Sequence, residues 1–186
     1  MPSNENAQAI MAAIATDRSK VLGVVIGDKK IEPPGFYIPR GEARALPEIS
    51  FPVPNPSARY IIVSMDFDAP YPSWPFFGPV LHWVQANLVP ISSSSAQEGD
   101  FVTLGMEEGS VGCIARYLSP NPPPGSTPHR YGFYLYEQPD GFDAARWAPD
   151  ADGNMGNWTR IRFGLDEWEK EAGLGAMLAA NYFTSN

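Results

Sequence analysis

The stretch RYIIVSMDFDAPYP, residues 59–72, has the pattern of an apolar β-strand that ends in two carboxylates. Because side chains alternate along a strand, Asp66 and Asp68 point to the same side, together with Tyr60, Ile62 and Ser64. Pro70 has no N–H to donate and ends the pairing. Two interpretations stay open on this segment alone. The acids face a cleft, or they mark a solvated strand end with an Asx turn.

Two further segments have the apolar and aromatic content of strands, and with 59–67 they are predicted to form the centre of a sheet: 80–88 and 129–138. Short edge strands among loops are expected in the proline-rich segment 32–58. Residues 21–31 contain a Gly-Asp turn between apolar pieces, which predicts a strand and a tight reversal. The segment TRIRF, residues 159–163, is also predicted to be a strand.

Helices are predicted at the two ends of the chain. Residues 5–20 are rich in alanine, with isoleucines at helical spacing. Residues 165–175 predict a second helix that begins at Asp166, with Glu169 three residues later, and stops at Gly173 or Gly175. The predicted class is mainly β, an antiparallel β-sandwich of a large central sheet and a smaller sheet with peripheral helices.

Composition limits the class of protein. The 186 residues suit a single domain, 1–186, which can bury a core without metals or disulfides. A formal net charge of −8 opposes binding to DNA or RNA, whose phosphates need a basic face. A small pocket of donors can still bind an anion, because the field at a site depends on nearby groups.

Cysteine usage and the absence of a membrane-spanning run indicate a cytoplasmic protein. Cys113 is the only cysteine, so no internal disulfide can form. The apolar stretch near the N-terminus lacks a basic region before it and fits a signal peptide poorly. No apolar run approaches the length needed to cross a bilayer, so no transmembrane segment is expected.

The two histidines are the natural candidates for chemistry. His82 and His129 each lie in one of the three central strands. Each taken alone is explained by a core histidine bonded to the backbone. If both converge with Asp66 and Asp68, the group can form an anion or headgroup pocket, a metal site or an acid–base pair. An acid beside two imidazoles favours the charged form of both, which predicts anion affinity that rises as pH falls.

Metal and hydrolase motifs are absent from the sequence. Neither H-E-x-x-H nor C-x-x-C occurs, so no metal and no cofactor are predicted. No G-x-S-x-G is present, and Ser64 has no neighbour that singles it out as a nucleophile. A binding protein without catalytic residues is therefore the preferred interpretation. A hydrolase or metal-dependent enzyme using the Asp/His cluster, or a scaffold with a vestigial pocket, are the alternatives.

Three motifs in order resemble the phosphatidylethanolamine-binding protein family, which includes mammalian kinase inhibitors, plant flowering regulators and a fungal carboxypeptidase Y inhibitor. DFDAP (66–70) looks like the family's D-P-D-A-P, and LHW (81–83) matches its L-H-W. PPPGSTPHRYGFYLYEQ (122–138) is similar to G-P-P-x-G-x-x-x-H-R-Y-x-F-x-x-Y-E-Q. The chain resembles a fungal-type member, and Phe67 departs from the family in replacing a proline.

The resemblance implies a pocket for phosphate-like anions and phospholipid headgroups, lined by Asp66, Pro70, His82, Pro123, His129 and Tyr131. It also implies that Asp68 and Arg130 support the rim as a pair and that Ala69–Pro70 is a cis peptide. Four further positions are weaker candidates for the pocket wall or its closure: Tyr71, Trp74, Val80 and Tyr182. By the same resemblance, the protein acts on a protein partner, as an inhibitor of a serine carboxypeptidase or of a kinase, with the N-terminal segment as the surface for protease inhibition.

Overall fold

The fold is described from a computed structural model, which describes residues 3–52, 54–91, 100–110, 112–148 and 155–186. Its helices are α1 Glu5–Ala13, α2 Asn157–Arg160 and α3 Leu165–Ala172, with short 3-10 turns at Arg18–Lys20 and Ala144–Arg146. Its strands are β1 Gly23–Ile26, β2 Lys29–Lys30, β3 Phe36–Tyr37, β4 Glu48–Phe51, β5 Tyr60–Asp66, β6 Val80–Pro90, β7 Val102–Met106, β8 Cys113–Ala115, β9 His129–Glu137 and β10 Ala179–Ser185.

All ten strands belong to one sheet, in the order β2-β1-β4-β7-β6-β5-β9-β10-β3, with β8 paired to β6. Neighbours are antiparallel except β10 and β3. The mainly β class is confirmed, whereas the sandwich of a large and a smaller sheet is not, because the strands of the described residues form one sheet. The sheet is open and curled. Residues from strands far apart in the order, such as Val24 and Ile49 against Ile62 and Phe133, therefore share one buried cluster.

The outer face of the sheet is covered by helices α1 and α3. Ile10 of α1 and Leu165 and Trp168 of α3 join a second buried cluster with Val63 and Tyr134 of the sheet. Burying these apolar faces against the sheet stabilises helices that are too short to persist alone. The two faces of the sheet therefore have separate cores. The chemistry described below lies at the end of the inner one.

Helix α3 confirms the predicted stop and corrects the predicted start. Gly173 ends the helix in the left-handed conformation, with φ of 68°. The N-cap residue is Gly164, not Asp166. The Asp166 carboxylate instead accepts a hydrogen bond of 2.8 Å from the backbone N–H of Glu5. Asp166 therefore ties the start of α1 to α3.

The three central strands were predicted correctly, and β5 lies between β6 and β9. Residues 21–31 form the expected hairpin of β1 and β2, and α1 occupies the first part of 5–20. The prediction for 159–163 was wrong, because α2 ends at Arg160 and only Ile161 makes an isolated bridge, to Val80. No helix within the described ranges is long and apolar enough to span a bilayer.

Strand β6 carries a bulge that sets the orientation of a histidine. Ser64 of β5 lies opposite Trp83, but the next residue, Met65, lies opposite Leu81. His82 is therefore an extra residue in the ladder. A bulge breaks the simple alternation of side chains, and Leu81 and Trp83 accordingly pack in different clusters.

Candidate functional site

A pocket of about 450 Å³ opens where β5 ends and where β6 and β9 begin. Five of the six residues that the resemblance implies for binding line it: Asp66, Pro70, His82, Pro123 and His129. The remaining lining residues come from the first residue of β6, from the loops around these strand ends and from the α2 region: Val80, Ala69, Phe77, Leu118, Ser119, Asn121, Pro122, Asn157, Arg160 and Ile161. The peptide Ala69–Pro70 on its rim is cis, as expected.

Asp66 anchors one side of the pocket. It is buried, and its Oδ2 lies 2.8 Å from Nδ1 of His129. Its Oδ1 accepts the backbone N–H of Asp68 at 2.8 Å. The segment is thus an Asx turn, but both acids are buried rather than solvated. The two interpretations of this strand end are therefore both partly right.

His129 has no ring nitrogen left for a ligand. Its Nε2 lies 2.9 Å from Oγ of Ser126, and that hydroxyl donates to the carbonyl of Thr127 at 2.9 Å. With the serine proton placed on that carbonyl, which can only accept, the hydroxyl accepts from His129. Both imidazole nitrogens then carry hydrogens, with the second N–H directed at Asp66. This arrangement fits an imidazolium.

The electrostatics of His129 agree with this assignment. Burial by itself lowers the pKa of His129. The hydrogen bond and charge of Asp66, the charge of Asp68 and the carbonyl of Pro70 oppose it and leave the pKa raised. A raised pKa favours the charged form at neutral pH. The Asp66–His129 pair is consequently close to neutral as a unit.

His82 has the opposite electrostatic character. Burial lowers its pKa, and the nearby charge of Asp66 and the carbonyl of Leu118 only partly compensate. Its Nδ1 lies 2.7 Å from the carbonyl oxygen of Leu118, so Nδ1 carries the hydrogen. In the neutral ring, Nε2 then carries a lone pair and can only accept a hydrogen bond. The expectation that the acid favours the charged form of both imidazoles agrees with the raised pKa of His129. At His82 burial outweighs the attraction of the acid, and the pKa is lowered.

Arg160 lies in the pocket wall as a buried cation. It is only 2% exposed, and Nε donates to the carbonyl of Met155 at 3.1 Å. Its Nη1 lies within 3.4 Å of the carbonyls of Leu81, His82 and Arg116. The ion pairs among the described residues do not include it. Burial lowers its pKa, yet a guanidinium stays charged.

Asp68 supports the rim through Arg130. The two side chains form a bidentate pair, with Nε at 2.9 Å and Nη2 at 2.7 Å from the two carboxylate oxygens. The backbone N–H of Arg130 donates to the same carboxylate at 2.8 Å. Neither residue lines the pocket. The pair fixes the end of β5 against the start of β9.

Tyr131 lies behind the pocket, although it was expected to bind the ligand. Its ring packs edge-on against His82 at 5.1 Å and parallel to His129 at 6.3 Å. Its hydroxyl is buried without a partner among the described residues, and burial raises its pKa. Tyr131 therefore packs against both imidazoles from behind the pocket.

Of the four weaker candidates, only Val80 lines the pocket. Tyr71 and Trp74 bridge each other in a small reversal and are exposed. Tyr182 lines other cavities because its neighbour Phe183 takes the inward position on β10. The aromatic wall is Phe77, which sequence reasoning missed.

Three other residues of the site were missed. Arg160 and Asn157 lie about 80 residues from His82 in sequence, and no motif marks them. Ser126 lies inside a recognised motif, three residues before His129, but only the fold reveals their bond. No group of three or more metal-ligating side chains is found in the described part of the chain.

The chain is similar to proteins of one known family. A family profile described as phosphatidylethanolamine-binding protein matches residues 27–183. The chain is 27% identical over 143 residues to the carboxypeptidase Y inhibitor of Saccharomyces cerevisiae, covering 75% of this chain and 65% of that protein. It is 26% identical over 175 residues to phomoidride biosynthesis cluster protein N of Talaromyces stipitatus, covering 87% and 82%.

Two solved structures share the fold. One is a carboxypeptidase Y inhibitor in complex with its cognate proteinase, with a TM-score of 0.69 and 24% identity over 98% of this chain and 93% of that one. The other is a phosphatidylethanolamine-binding protein from Plasmodium vivax, with a TM-score of 0.61 and 16% identity over 100% and 98%. Since the family profile covers most of the sequence, the chain belongs to the phosphatidylethanolamine-binding protein family.

Proposed function

We propose that this protein is a non-enzymatic binding and regulatory protein whose pocket binds a phosphate-like anion, either free or as a phospholipid headgroup. The observation that carries the proposal is Arg160. A buried guanidinium that contacts only carbonyl oxygens, among the described residues, has hydrogen bonds but no counter-charge. An anion in the pocket would supply that charge.

His82 would be the second group that contacts the anion. Its Nε2 is an acceptor while the ring is neutral and becomes a donor once the ring is protonated. Anion binding is therefore coupled to uptake of a proton at His82. Asp66 does not repel the anion strongly, because His129 neutralises it within hydrogen-bond distance.

The pocket walls suit the remainder of a headgroup. Phe77, Val80 and Ile161 give the cavity an apolar lining beside the two basic groups. Its volume lies in the range of small-molecule sites. The chemistry shared by both sources of ligand is a phosphate monoester or diester. Titrations with inorganic phosphate and with glycerophosphoethanolamine separate the two.

Isothermal titration with phosphate tests the pocket. We expect tighter binding at pH 5.5 than at pH 8, after correction for the ionisation of phosphate. Arg160→Met should weaken binding at least tenfold, because a charge-assisted hydrogen bond is lost. Arg162→Met is the matched control, since Arg162 is exposed and does not line the pocket. Unchanged affinity in Arg160→Met would contradict the proposal. The variant His82→Gln has a side chain that does not titrate and should remove the pH dependence of phosphate affinity.

We further propose that the protein acts on a protein partner, as an inhibitor of a serine carboxypeptidase. The proposal is supported by 27% identity to the carboxypeptidase Y inhibitor of Saccharomyces cerevisiae. It is also supported by the fold shared with a carboxypeptidase Y inhibitor solved in complex with its cognate proteinase. Other surfaces, the N-terminal segment above all, would carry inhibition. A kinase is the second class of partner that the family resemblance supports. A cytoplasmic location is part of the same proposal.

Inhibition and anion binding can be separated by experiment. The protein should inhibit hydrolysis of a peptide substrate by purified carboxypeptidase Y, and His82→Gln should inhibit as well as the parent chain. A parent chain that leaves the rate unchanged at micromolar concentration contradicts the inhibitor role while leaving the pocket intact. Loss of inhibition only in His82→Gln would instead assign inhibition to the pocket.

One observation favours a hydrolase as a second candidate. Asp66, His129 and Ser126 follow one another at 2.8 Å and 2.9 Å, the order of a catalytic triad. The direction of the hydrogen bonds opposes it, because the serine donates to Thr127 and the imidazole has no free lone pair. Ester hydrolysis that is lost in both His129→Ala and Ser126→Ala would establish the enzyme; we expect no turnover above the rate of the variants.

A further inference from the structure

A second cavity, of about 500 Å³, lies between the end of α1, strand β1 and the segment after β2. It shares no lining residue with the pocket around His82. Its floor is apolar and buried, formed by Ile14, Leu22 and Ile31, and the exposed ring of Phe101 lies at its edge. A concave apolar floor of this size is typical of a site for a small organic molecule.

The walls of this cavity are held in place by hydrogen bonds within the protein. The buried side-chain amide of Asn181 donates to the carbonyls of Leu22 and Ile31, at 2.7 Å and 3.1 Å. The backbone N–H of Leu22 donates to Ala180 at 2.9 Å. Because these bonds need no ligand, the cavity is preformed. A preformed site avoids the cost of ordering its walls on binding.

The mouth of the cavity carries an excess of positive charge. Lys30 and Glu32 form a close ion pair at 2.6 Å, and Arg18 reaches the same carboxylate only at 3.9 Å. Two cations therefore share one carboxylate. The net charge of the whole chain is −8, so this basic mouth is a local feature. Arg18 is the group that an incoming anion can pair with at the least cost.

We propose that this cavity binds an amphipathic organic carboxylate. The apolar chain or ring system of the ligand packs over Ile14, Leu22 and Ile31, and its carboxylate pairs with Arg18. The apolar floor selects the body of the ligand, and the unbalanced cation selects the charge of its head. The site is separate from the anion pocket and does not depend on the function proposed for it.

Displacement of a fluorescent fatty acid, 11-(dansylamino)undecanoate, tests the proposal at concentrations below micelle formation. Decanoate should displace the probe at least tenfold more effectively than decan-1-ol, which has the same chain and no charge. Arg18→Glu should weaken the probe severalfold, because it replaces the attraction of an exposed cation by a repulsion. Lys20→Glu is the matched control, because Lys20 is exposed, lies two residues away and does not line the cavity.

A second pair of variants tests the location. Ala15→Trp fills the cavity from an exposed position and should abolish saturable binding, while Ala12→Trp lies on the same helical end, outside the cavity, and should retain it. Equal binding by Ala15→Trp and the parent chain overturns the proposal. Equal displacement by decanoate and decanol overturns the role of Arg18. Displacement of the probe by phosphate would place the probe in the pocket around His82. That result would also contradict binding in this cavity.

Discussion

The start of β9 and the bulge of β6 each bring one histidine to the same pocket. The two regions shift the pKa of their histidine in opposite directions. His129 has a partner at each ring nitrogen, Asp66 and Ser126, and its pKa is raised. Among the described residues, His82 has a hydrogen-bond partner at one ring nitrogen, the carbonyl of Leu118, and its pKa is lowered. Both rings are at least nine-tenths buried. Burial alone therefore does not decide the charge.

The difference assigns separate roles to the two imidazoles. A buried imidazolium beside a carboxylate is a structural ion pair, which holds β5 and β9 together at their ends. A buried neutral imidazole with a free lone pair can take up a proton when a ligand provides compensation. The pocket thus combines a fixed pair with a group whose charge can change.

The largest expected effect is the loss of the fixed pair. Asp66→Asn keeps the shape of the side chain and removes its charge, which leaves the His129 imidazolium buried without a counter-ion. We expect the free energy of unfolding at pH 6 to fall by about 3 kcal/mol, the scale for breaking a buried ion pair. Urea unfolding followed by tryptophan fluorescence measures the change.

A pH series gives the control for this variant. At pH 8.5 His129 is less protonated, so the destabilisation by Asp66→Asn should be smaller than at pH 6. Equal destabilisation at both values would mean that the imidazole is neutral throughout, and the contrast between the two histidines would then be wrong. The substitution leaves an oxygen at position 66 that still accepts the N–H of Asp68.

The next effect is the pH dependence of the parent chain's stability. A raised pKa makes the contribution of His129 complete below about pH 6.5, the ordinary value, and removes it as pH rises through the folded-state pKa. The loss is smaller than in Asp66→Asn, because neutral His129 still donates one N–H to Asp66. Stability should therefore decline on the alkaline side.

His82 affects the acid side of the curve of stability against pH. Its lowered pKa means that the unfolded chain binds the proton first, so stability falls as pH drops from about 6.5 toward the folded-state pKa. Urea midpoints between pH 5.5 and 8.5 should show His129→Gln flattening the alkaline limb and His82→Gln flattening the acid limb. If both variants flatten the same limb, the two regions do not differ in charge.

The sequence predicts the central sheet well because its signal is local. Alternation along β5 and β9 places Ile62 and Phe133 in one core and Val63 and Tyr134 in the other, as observed. The motifs also identified both histidines and the Asp68–Arg130 pair. Periodicity and short motifs depend on neighbours in sequence, so they can be recognised without knowledge of the tertiary structure.

What the sequence did not reveal depends on distant contacts. Strand β10 is rich in small and polar residues, and its place is set by pairing with β9 and β3. The bulge at His82 cannot be read from alternation. Residues 159–163 look like a strand, but the Arg160 side chain turns inward to the carbonyls of Leu81 in β6 and of Arg116 just after β8. The backbone there ends a short helix instead of forming a strand. Tertiary contacts override local propensity there.

A smaller effect is expected from the second acid. Asp68→Asn removes the charge from a pair whose other member, Arg130, is half exposed and can be solvated. We expect a loss of about 1 kcal/mol, because an exposed guanidinium remains hydrated when its partner is lost. The same urea experiment measures it. If Asp68→Asn lowers the free energy of unfolding as much as Asp66→Asn does, the two acids contribute equally to stability. The exposure of their partners would then not matter.

The smallest effect is expected outside the pocket wall. Trp74 is 64% exposed and does not line the pocket. Its ring contacts that of Phe76, with ring centres 4.5 Å apart and the planes tilted by 41°. Trp74→Ala should change the free energy of unfolding by no more than about 0.5 kcal/mol and leave phosphate affinity within about twofold, since no charge near the two histidines is altered. Phe77→Ala is the contrasting variant, because Phe77 lines the pocket wall. Should Trp74→Ala weaken phosphate as much as Arg160→Met, the pocket extends over the exposed aromatic surface, and the charges around His82 and His129 no longer suffice to explain affinity.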